Sequence, residues 1–385
     1  MNFSFSYAYT HSPIDFYFKQ TPRDFVVEEI PLYTFSGSGS HLIIKLRKKN
    51  ITTFEMLKAF SLGNESVVHF GFYLGVKENE IGYAGLKDKD SLAIQHISLP
   101  SLYEKKLESF FHERIKILET TKHQNKIKIG HLKGNRFFIR VKKLNPLNSV
   151  KIFQIISQIK SYGIPNYFGY QRFGKNLDNY LLGESIIKGE KKLRNKKLRD
   201  FLIGAYQSLL FNQWLSLRID ISHLLKLDEN FKEVLTTYLH TQDIPECFSN
   251  KQYCKGIKNQ PHFFKLFSGD MMCHYPFGRN FMISNESLYE DSHRFLNKSI
   301  SVMGLLGGKK MQVTQNLAGF FEKNFVDTRI KSIGQRRYAW IFVEDLEFFY
   351  KEEEAQGEFS FYLPKGAYAT NLLREIAHNE VMQIE

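Results

Sequence analysis

Residues 82–95 read Gly-Tyr-Ala-Gly-Leu-Lys-Asp-Lys-Asp-Ser-Leu-Ala-Ile-Gln and hold one aspartate, Asp88, between two lysines. The two glycines favour a tight turn. From Ala93 to Leu99 apolar and polar side chains alternate, which predicts a half-buried strand. Asp88 would then stand at the start of a strand, with Lys87 and Lys89 beside it to meet phosphates. The alternative is an ordinary solvated turn, so other segments must decide between the two.

The composition indicates a globular protein with a basic surface. The chain has 385 residues, which is longer than a domain with a single hydrophobic core usually is, so we expect two domains. It carries 53 Lys and Arg against 40 Asp and Glu, a formal charge of +13, which favours an anionic partner such as nucleic acid or a membrane surface. The N-terminus lacks the pattern of a signal peptide, and no segment has the apolar length of a membrane helix. We expect a cytoplasmic protein that does not enter a membrane.

The residues that bind metals or phosphate cofactors do not form recognisable motifs here. Three cysteines, Cys247, Cys254 and Cys273, are an odd number and do not indicate a disulfide framework. His262 and His274 lie near them in sequence, without the short paired spacing of a zinc site. There is also no glycine-rich phosphate loop. We therefore expect neither a metal nor a cofactor.

Strand patterns at both ends of the chain flank a middle part that is richer in helix. The strand-like segments are residues 24–30, 41–47, 93–99, 126–129, 136–141, 339–342, 346–350 and 358–363, and the first helices are predicted over 52–60 and 150–162. The basic run 188–199 is either an RNA-facing helix or a solvated one. The pattern predicts an α+β protein in which one sheet is interrupted by an inserted domain. The expected division is 1–162 and 338–385 for the catalytic domain and 163–337 for the insertion.

Several dispersed segments together resemble the TruD family of tRNA pseudouridine synthases. They are Pro22–Glu29, Ala84–Lys89 with Gln95, Leu132–Phe137, Gly163–Gly174, and Leu363–Thr370 with Leu373–Glu375. The resemblance is strong over residues 19–215 and 337–376. It implies a catalytic domain with a mixed, largely antiparallel sheet, interrupted by an inserted helix-rich α/β domain, with RNA held in the cleft between them.

The resemblance also implies roles for particular residues. Asp88 corresponds to the catalytic aspartate, and Lys19 to a basic residue beside it. The positions that correspond to nucleotide-binding residues are Phe25, Asn135 and Tyr368, with Phe137 near the base. Tyr368 departs from the family pattern, because phenylalanine is common there. Arg172, in the segment Gly163–Gly174, is expected to contact phosphate or to hold the structure together.

The implied reaction converts uridine in tRNA, at position 13 by resemblance, into pseudouridine. The bond from C1′ to N1 breaks, the base turns over, and C5 joins C1′, so nothing is added and no cofactor is needed. A carboxylate suits this step because cleavage builds positive character on the sugar. Whether Asp88 attacks C1′ as a nucleophile or removes the C2′ proton as a base stays open. Buried charge needs a partner, for which Lys19 is the candidate.

The target base is stacked inside folded RNA and must be extracted, which costs a few kcal/mol. Aromatic rings can offset this, because each stacked base contributes roughly 1–3 kcal/mol. Phe25 and Tyr368 are the candidates for stacking, and Asn135 for a hydrogen bond to the uracil or the sugar. The alternative function is a noncatalytic RNA-binding or RNA-folding protein that uses the same basic cleft and is indifferent to Asp88.

Overall fold

The computed structural model describes residues 5–61, 74–174, 176–227 and 230–379. It divides the chain into two compact units. The sheet unit comprises Pro13–Ile156, Val343–Gly366 and Asn379–Glu385, and the helical unit comprises Met1–Ser12, Ser157–Phe342 and Ala367–His378. The expected domain boundaries at residues 163 and 338 stay a prediction.

The strands and helices follow in chain order. The strands are β1 Tyr17–Phe18, β2 Phe25–Pro31, β3 His41–Lys49, β4 Gly82–Tyr83, β5 Leu92–Pro100, β6 Ile115–His123, β7 Leu132–Lys142, β8 Ile164–Pro165, β9 Met271–His274, β10 Asn280–Met282, β11 Ile300–Leu306, β12 Gln335–Tyr338, β13 Trp340–Ile341, β14 Glu344–Lys351 and β15 Gln356–Pro364. The helices are α1 Thr53–Phe60, α2 Glu104–Leu107, α3 Pro146–Tyr162, α4 Asn179–Lys188, α5 Lys196–Leu227, α6 Phe231–Leu239, α7 Lys251–Lys258, α8 Leu288–Leu296, α9 Asn316–Glu322 and α10 Ala369–Ala377.

The sheet unit is built on one sheet with the strand order β14-β15-β7-β2-β5-β3-β6, to which β1 and β4 add short pairings. Strands β2 and β5 run parallel. The other pairings in this sheet are antiparallel. The predicted α+β class with a mixed, largely antiparallel sheet is therefore confirmed.

One predicted strand is wrong. Residues 126–129 form a loop in which Ile127 is buried and its N–H donates to the hydroxyl of Ser98 at 2.9 Å. The strand that sequence analysis missed nearby is β6, which pairs with β3. Most of its side chains are exposed or half-buried, so it lacks the clear alternation that marks a strand with one buried face.

Helix α1 covers one face of the sheet and begins at a capping box. The N–H of Glu55 donates to Thr52 Oγ1 at 3.1 Å, and the N–H of Thr52 donates to Glu55 Oε2 at 2.7 Å. The apolar side of the helix packs into a core that includes Leu42, Ile44, Leu46, Met56, Leu57, Phe60, Ile97 and Leu99. This packing fixes the start of α1 beside the ends of the central strands.

The helical unit packs α5 against a small sheet with the order β10-β9-β11-β12. At Gly304 of β11, a Cβ atom would lie 2.5 Å from the rings of both Phe211 and Trp214, so only glycine allows this contact. Arg218 of α5 and Asp270 form a buried ion pair at 2.6 Å. Every helix within the described ranges falls short of the combined length and apolar character that crossing a membrane requires.

The basic run 188–199 is helical only in part. Helix α4 ends at Lys188, and Gly189 caps it in the left-handed conformation with a φ of 82°. Helix α5 begins at Lys196. Its first leucine, Leu198, is 45% exposed, whereas Leu202 is buried. A continuous basic helix over this run is therefore a wrong interpretation, because Gly189 ends one helix and the next begins only at Lys196.

Candidate active site

The start of two strands creates the place where the candidate residues meet. Val26 of β2 pairs with Leu92 of β5 in parallel register, so both strands begin at the same edge of the sheet. Phe25 is the first residue of β2, and Asp88 lies in the turn that precedes β5. The parallel pairing thus brings together two segments that are far apart in sequence.

Asp88 and Lys19 form an ion pair at this edge. The Lys19 ammonium lies 3.4 Å from Asp88 Oδ2; the lysine side chain is 2% exposed and that of the aspartate 36%. Lys19 has a φ of 58°, a left-handed conformation that non-glycine residues adopt mainly where the surroundings hold them there. Its ammonium also lies 4.5 Å from the centre of the Phe25 ring. The carboxylate is therefore open to solvent on one side and faces a buried cation on the other.

Strand β7 supplies the next side chains. Because side chains alternate along a strand, the register that pairs Val27 with Phe137 and Glu29 with Asn135 puts all of these residues on the face that carries Phe25. The rings of Phe25 and Phe137 lie 5.9 Å apart, and both side chains are buried. They form an apolar wall beside Lys19. Oδ1 of Asn135 is buried and has no hydrogen-bond partner among the described residues.

The two lysines that flank Asp88 differ in their surroundings. The Lys87 side chain is 6% exposed, and its ammonium donates to Glu29 Oε2 at 2.9 Å. The other oxygen of Glu29 accepts the N–H of His96 at 3.2 Å. The ion pair holds the Lys87 side chain against Glu29, and the phosphate contact expected of Lys87 stays a prediction. Lys89 is exposed and keeps its expected role as a prediction.

The residues that hold this turn were not predicted from the sequence. The N–H of Lys87 donates to Thr53 Oγ1 at 2.9 Å, and the hydroxyl of Ser91 donates to the carbonyl of Asp88 at 2.8 Å. The ammonium of Lys48, on β3, lies 2.7 Å from the same carbonyl. Two of its partners, the carbonyls of Lys87 and Asp88, lie 39 and 40 residues away in sequence. The only sequence signal was that Glu29 and Lys48 fall on the inward side of strands that otherwise bury apolar residues.

Tyr368 and Arg172 belong to the helical unit. Tyr368 is the N-cap residue of α10 and is half-buried. A Cβ atom on Gly169 would lie 3.6 Å from the Tyr368 ring, so the Gly163–Gly174 segment packs beside this ring. The Nε of Arg172 donates to the Ser208 hydroxyl at 3.2 Å, and burial lowers the pKa of the guanidinium below its usual value. This internal bond favours a structural role for Arg172.

Two of the cysteines considered for a zinc site have hydrogen-bond partners within the fold. The thiol of Cys254 donates to the Phe248 carbonyl at 3.3 Å, and the thiol of Cys273 to the Gly278 carbonyl at 3.4 Å. Across the described ranges, no three His, Cys, Asp or Glu side chains come together as a metal site.

Comparison with known proteins identifies the family. The model of the family described as tRNA pseudouridine synthase D (TruD) matches residues 4–193 and 248–376. The tRNA pseudouridine synthase D of Wolinella succinogenes is 49% identical over 376 residues, which cover 97% of this chain and 98% of that protein. The protein of the same name from Sulfurimonas denitrificans is 50% identical over 378 residues, covering 98% and 99% respectively.

A solved structure shares the fold of this chain. It is the crystal structure of the putative tRNA pseudouridine synthase D (TruD) from Methanosarcina mazei, which is 20% identical to this chain. It superimposes with a TM-score of 0.62 and covers 98% of this chain and 97% of its own. The matching family model and the sequence relatives of nearly equal length show that this chain belongs to the TruD family of tRNA pseudouridine synthases.

Proposed function

We propose that this protein is an isomerase that converts a uridine of tRNA into pseudouridine, without a cofactor and in the cytoplasm. The observation that carries the proposal is the half-exposed Asp88 carboxylate, held against the buried ammonium of Lys19 at the start of two parallel strands. Uridine 13 is the proposed target, on the strength of the family resemblance alone.

The carboxylate of Asp88 suits the bond that must break. As the C1′–N1 bond lengthens, positive charge grows on the sugar and negative charge on the base. An anion that faces C1′ stabilises the first of these, whether it then forms a bond to C1′ or takes the C2′ proton. Both routes need a carboxylate that the sugar can approach, and 36% exposure of the Asp88 side chain meets that condition.

Asn135 is suited to recognising the base. Its Oδ1 is buried and unpaired within the described residues, which is a costly state unless a ligand supplies a donor. The N3–H of uracil is such a donor, whereas N3 of cytosine carries no hydrogen. Beside Asn135, the rings of Phe25 and Phe137 provide an apolar wall for the extracted nucleotide. We propose that this side of the sheet takes the uracil.

The backbone of the tRNA would be held by charge. The formal charge of +13 favours binding of phosphates, and exposed lysines such as Lys89 supply point contacts. Such contacts position the RNA but do not read its sequence. Affinity should therefore fall as salt rises.

The test of the function is release of the C5 hydrogen. An unmodified tRNA transcript that carries tritium at C5 of its uridines is incubated with the purified protein, and tritium in the solvent is measured with time. One equivalent per tRNA is expected, and none from a transcript in which uridine 13 is replaced by cytidine. Salt-sensitive binding without any tritium release would show that the protein is a noncatalytic RNA-binding protein.

Tyr368 gives a prediction about stacking. Tyr368→Phe keeps the aromatic face, so kcat/KM is expected to stay within about twofold of wild type. Tyr368→Ala removes the face, and kcat/KM is expected to fall about 10- to 100-fold, the equivalent of one stacked base. The tritium assay measures both. Tyr289→Ala is the matched control, because this tyrosine of the same unit is 74% exposed. Full activity of Tyr368→Ala would exclude the stacking role.

A further inference from the structure

Lys48 is a buried lysine that the proposed chemistry does not use. It is the penultimate residue of β3, and its register with Ala93 of β5 turns its side chain to the face covered by α1. The residue is 0% exposed. No substrate atom can therefore reach its ammonium without the turn above it moving away.

The three hydrogens of the Lys48 ammonium match three backbone carbonyls. Nζ lies 2.6 Å from the carbonyl oxygen of Ile51, 2.7 Å from that of Asp88 and 3.2 Å from that of Lys87. An ammonium has three donors, so these acceptors use all of them. One side chain thus ties the loop after β3 to the backbone of the turn that carries the candidate catalytic carboxylate.

Keeping a charge at this place is unfavourable in itself. Burial lowers the pKa of Lys48 to about 8, and the nearby charge of Lys87 lowers it as well. The carboxylates of Asp88, Glu55 and Asp90 act in the opposite direction and raise it. A methionine would fill a similar volume without desolvating a charge. Unlike methionine, the ammonium also donates hydrogen bonds to the carbonyls of residues 51, 87 and 88.

We propose that Lys48 is a positioning residue for the reaction, which fixes the backbone of residues 87 and 88 so that the Asp88 carboxylate stays against Lys19 and open to the sugar. The proposal rests on the proposed function for its catalytic readout. Its physical basis is that the backbone carbonyl held by Lys48 and the carboxylate that faces the sugar both belong to Asp88. A displacement of about 1 Å at a reacting group can lower a rate by about 10²-fold.

The test is Lys48→Met, compared with Lys265→Met as a matched control. Lys265 is also buried, its ammonium lies 3.0, 2.9 and 3.1 Å from the carbonyls of Lys258, Gln260 and His262, and burial lowers its pKa to about 8 as well. It belongs to the helical unit and bonds to none of the turn carbonyls. Both variants should lose stability. Only Lys48→Met should lose kcat, by about 10²-fold, with KM for tRNA within about threefold.

The pH profile separates positioning from general destabilisation. Above pH 8 the wild-type Lys48 loses a proton, and with it one of the three donors. We expect kcat of the wild type to fall as pH rises through about 8. This decline should persist in Lys265→Met and be absent in Lys48→Met, whose kcat is already low at pH 7.

Two results would overturn the inference. One is an equal effect of the two substitutions on kcat at a temperature where both proteins are folded. The other is a crystal structure of Lys48→Met in which residues 85–90 keep their wild-type positions. The second result does not depend on activity, so it tests the role of Lys48 even if the wild-type protein fails to form pseudouridine and the proposed function is wrong.

Discussion

Asp88→Asn is expected to abolish pseudouridine formation, with kcat lowered by at least about 10⁴-fold, the scale on which removal of a central catalytic group acts. The substitution keeps the shape of the side chain and removes its charge. Without the charge, the group neither stabilises the developing cation at C1′ nor serves as nucleophile or base. The measurement is tritium release from C5 under single-turnover conditions, with the tRNA bound.

Binding and a neighbouring aspartate provide the controls for Asp88→Asn. The dissociation constant for tRNA should change by less than about threefold, because most of the affinity is expected from lysine and arginine contacts with phosphates. Asp90→Asn, two residues along the same turn and exposed, should keep wild-type kcat. Substantial turnover by a correctly folded Asp88→Asn protein would remove Asp88 from the mechanism.

Lys19→Met is expected to lower kcat by about 10²- to 10³-fold, the range observed when one fixed electrostatic partner is removed from an active site. The ammonium lies 3.4 Å from the Asp88 carboxylate and is buried, so water does not replace it easily. KM for tRNA should change little, because a lysine side chain that is 2% exposed is not a phosphate contact. The kcat and KM values from a tRNA titration separate these effects.

Lys143→Met is the matched control for Lys19→Met. Lys143 has a φ of 59°, nearly that of Lys19, and its ammonium also lies over an aromatic ring, 4.1 Å from the centre of Tyr17. This substitution should leave kcat unchanged.

In a double-mutant cycle on the free energy of unfolding, Lys19→Met and Asp88→Asn should show a coupling of about 1 kcal/mol, because the carboxylate is partly exposed. Equal kcat values for Lys19→Met and wild type would exclude the pairing role.

Much of the local structure could be predicted from the sequence. The alternation after Asp88 corresponds to β5, and the helix predicted over residues 52–60 corresponds to α1. These features depend on residues a few positions apart, which is why they can be read from the chain. A strand without such a local pattern is missed. Strand β6 lies at the edge of the sheet with most side chains exposed or half-buried, so its sequence shows little alternation.

The candidate site was predictable only in its centre. The lysine–aspartate–lysine turn singles out Asp88, but the turn does not tell which lysines face the solvent. Lys87 and Lys89 are chemically identical, yet the Lys87 ammonium is paired with Glu29 whereas Lys89 is exposed. Likewise, Lys48 lies one residue beyond the strand predicted over residues 41–47, and in the structure it is buried and donates to the Asp88 carbonyl.

The sequence by itself determined the charge of the surface, the class of the fold and the turn that carries the carboxylate, because each follows from composition or from neighbours along the chain. The tertiary structure decided the electrostatic partners. Lys19 and Asp88 are 69 residues apart and meet because β2 and β5 pair in parallel with their starts at one edge. What an ammonium does depends on the acceptors around it, and strand pairing between distant segments supplies those acceptors.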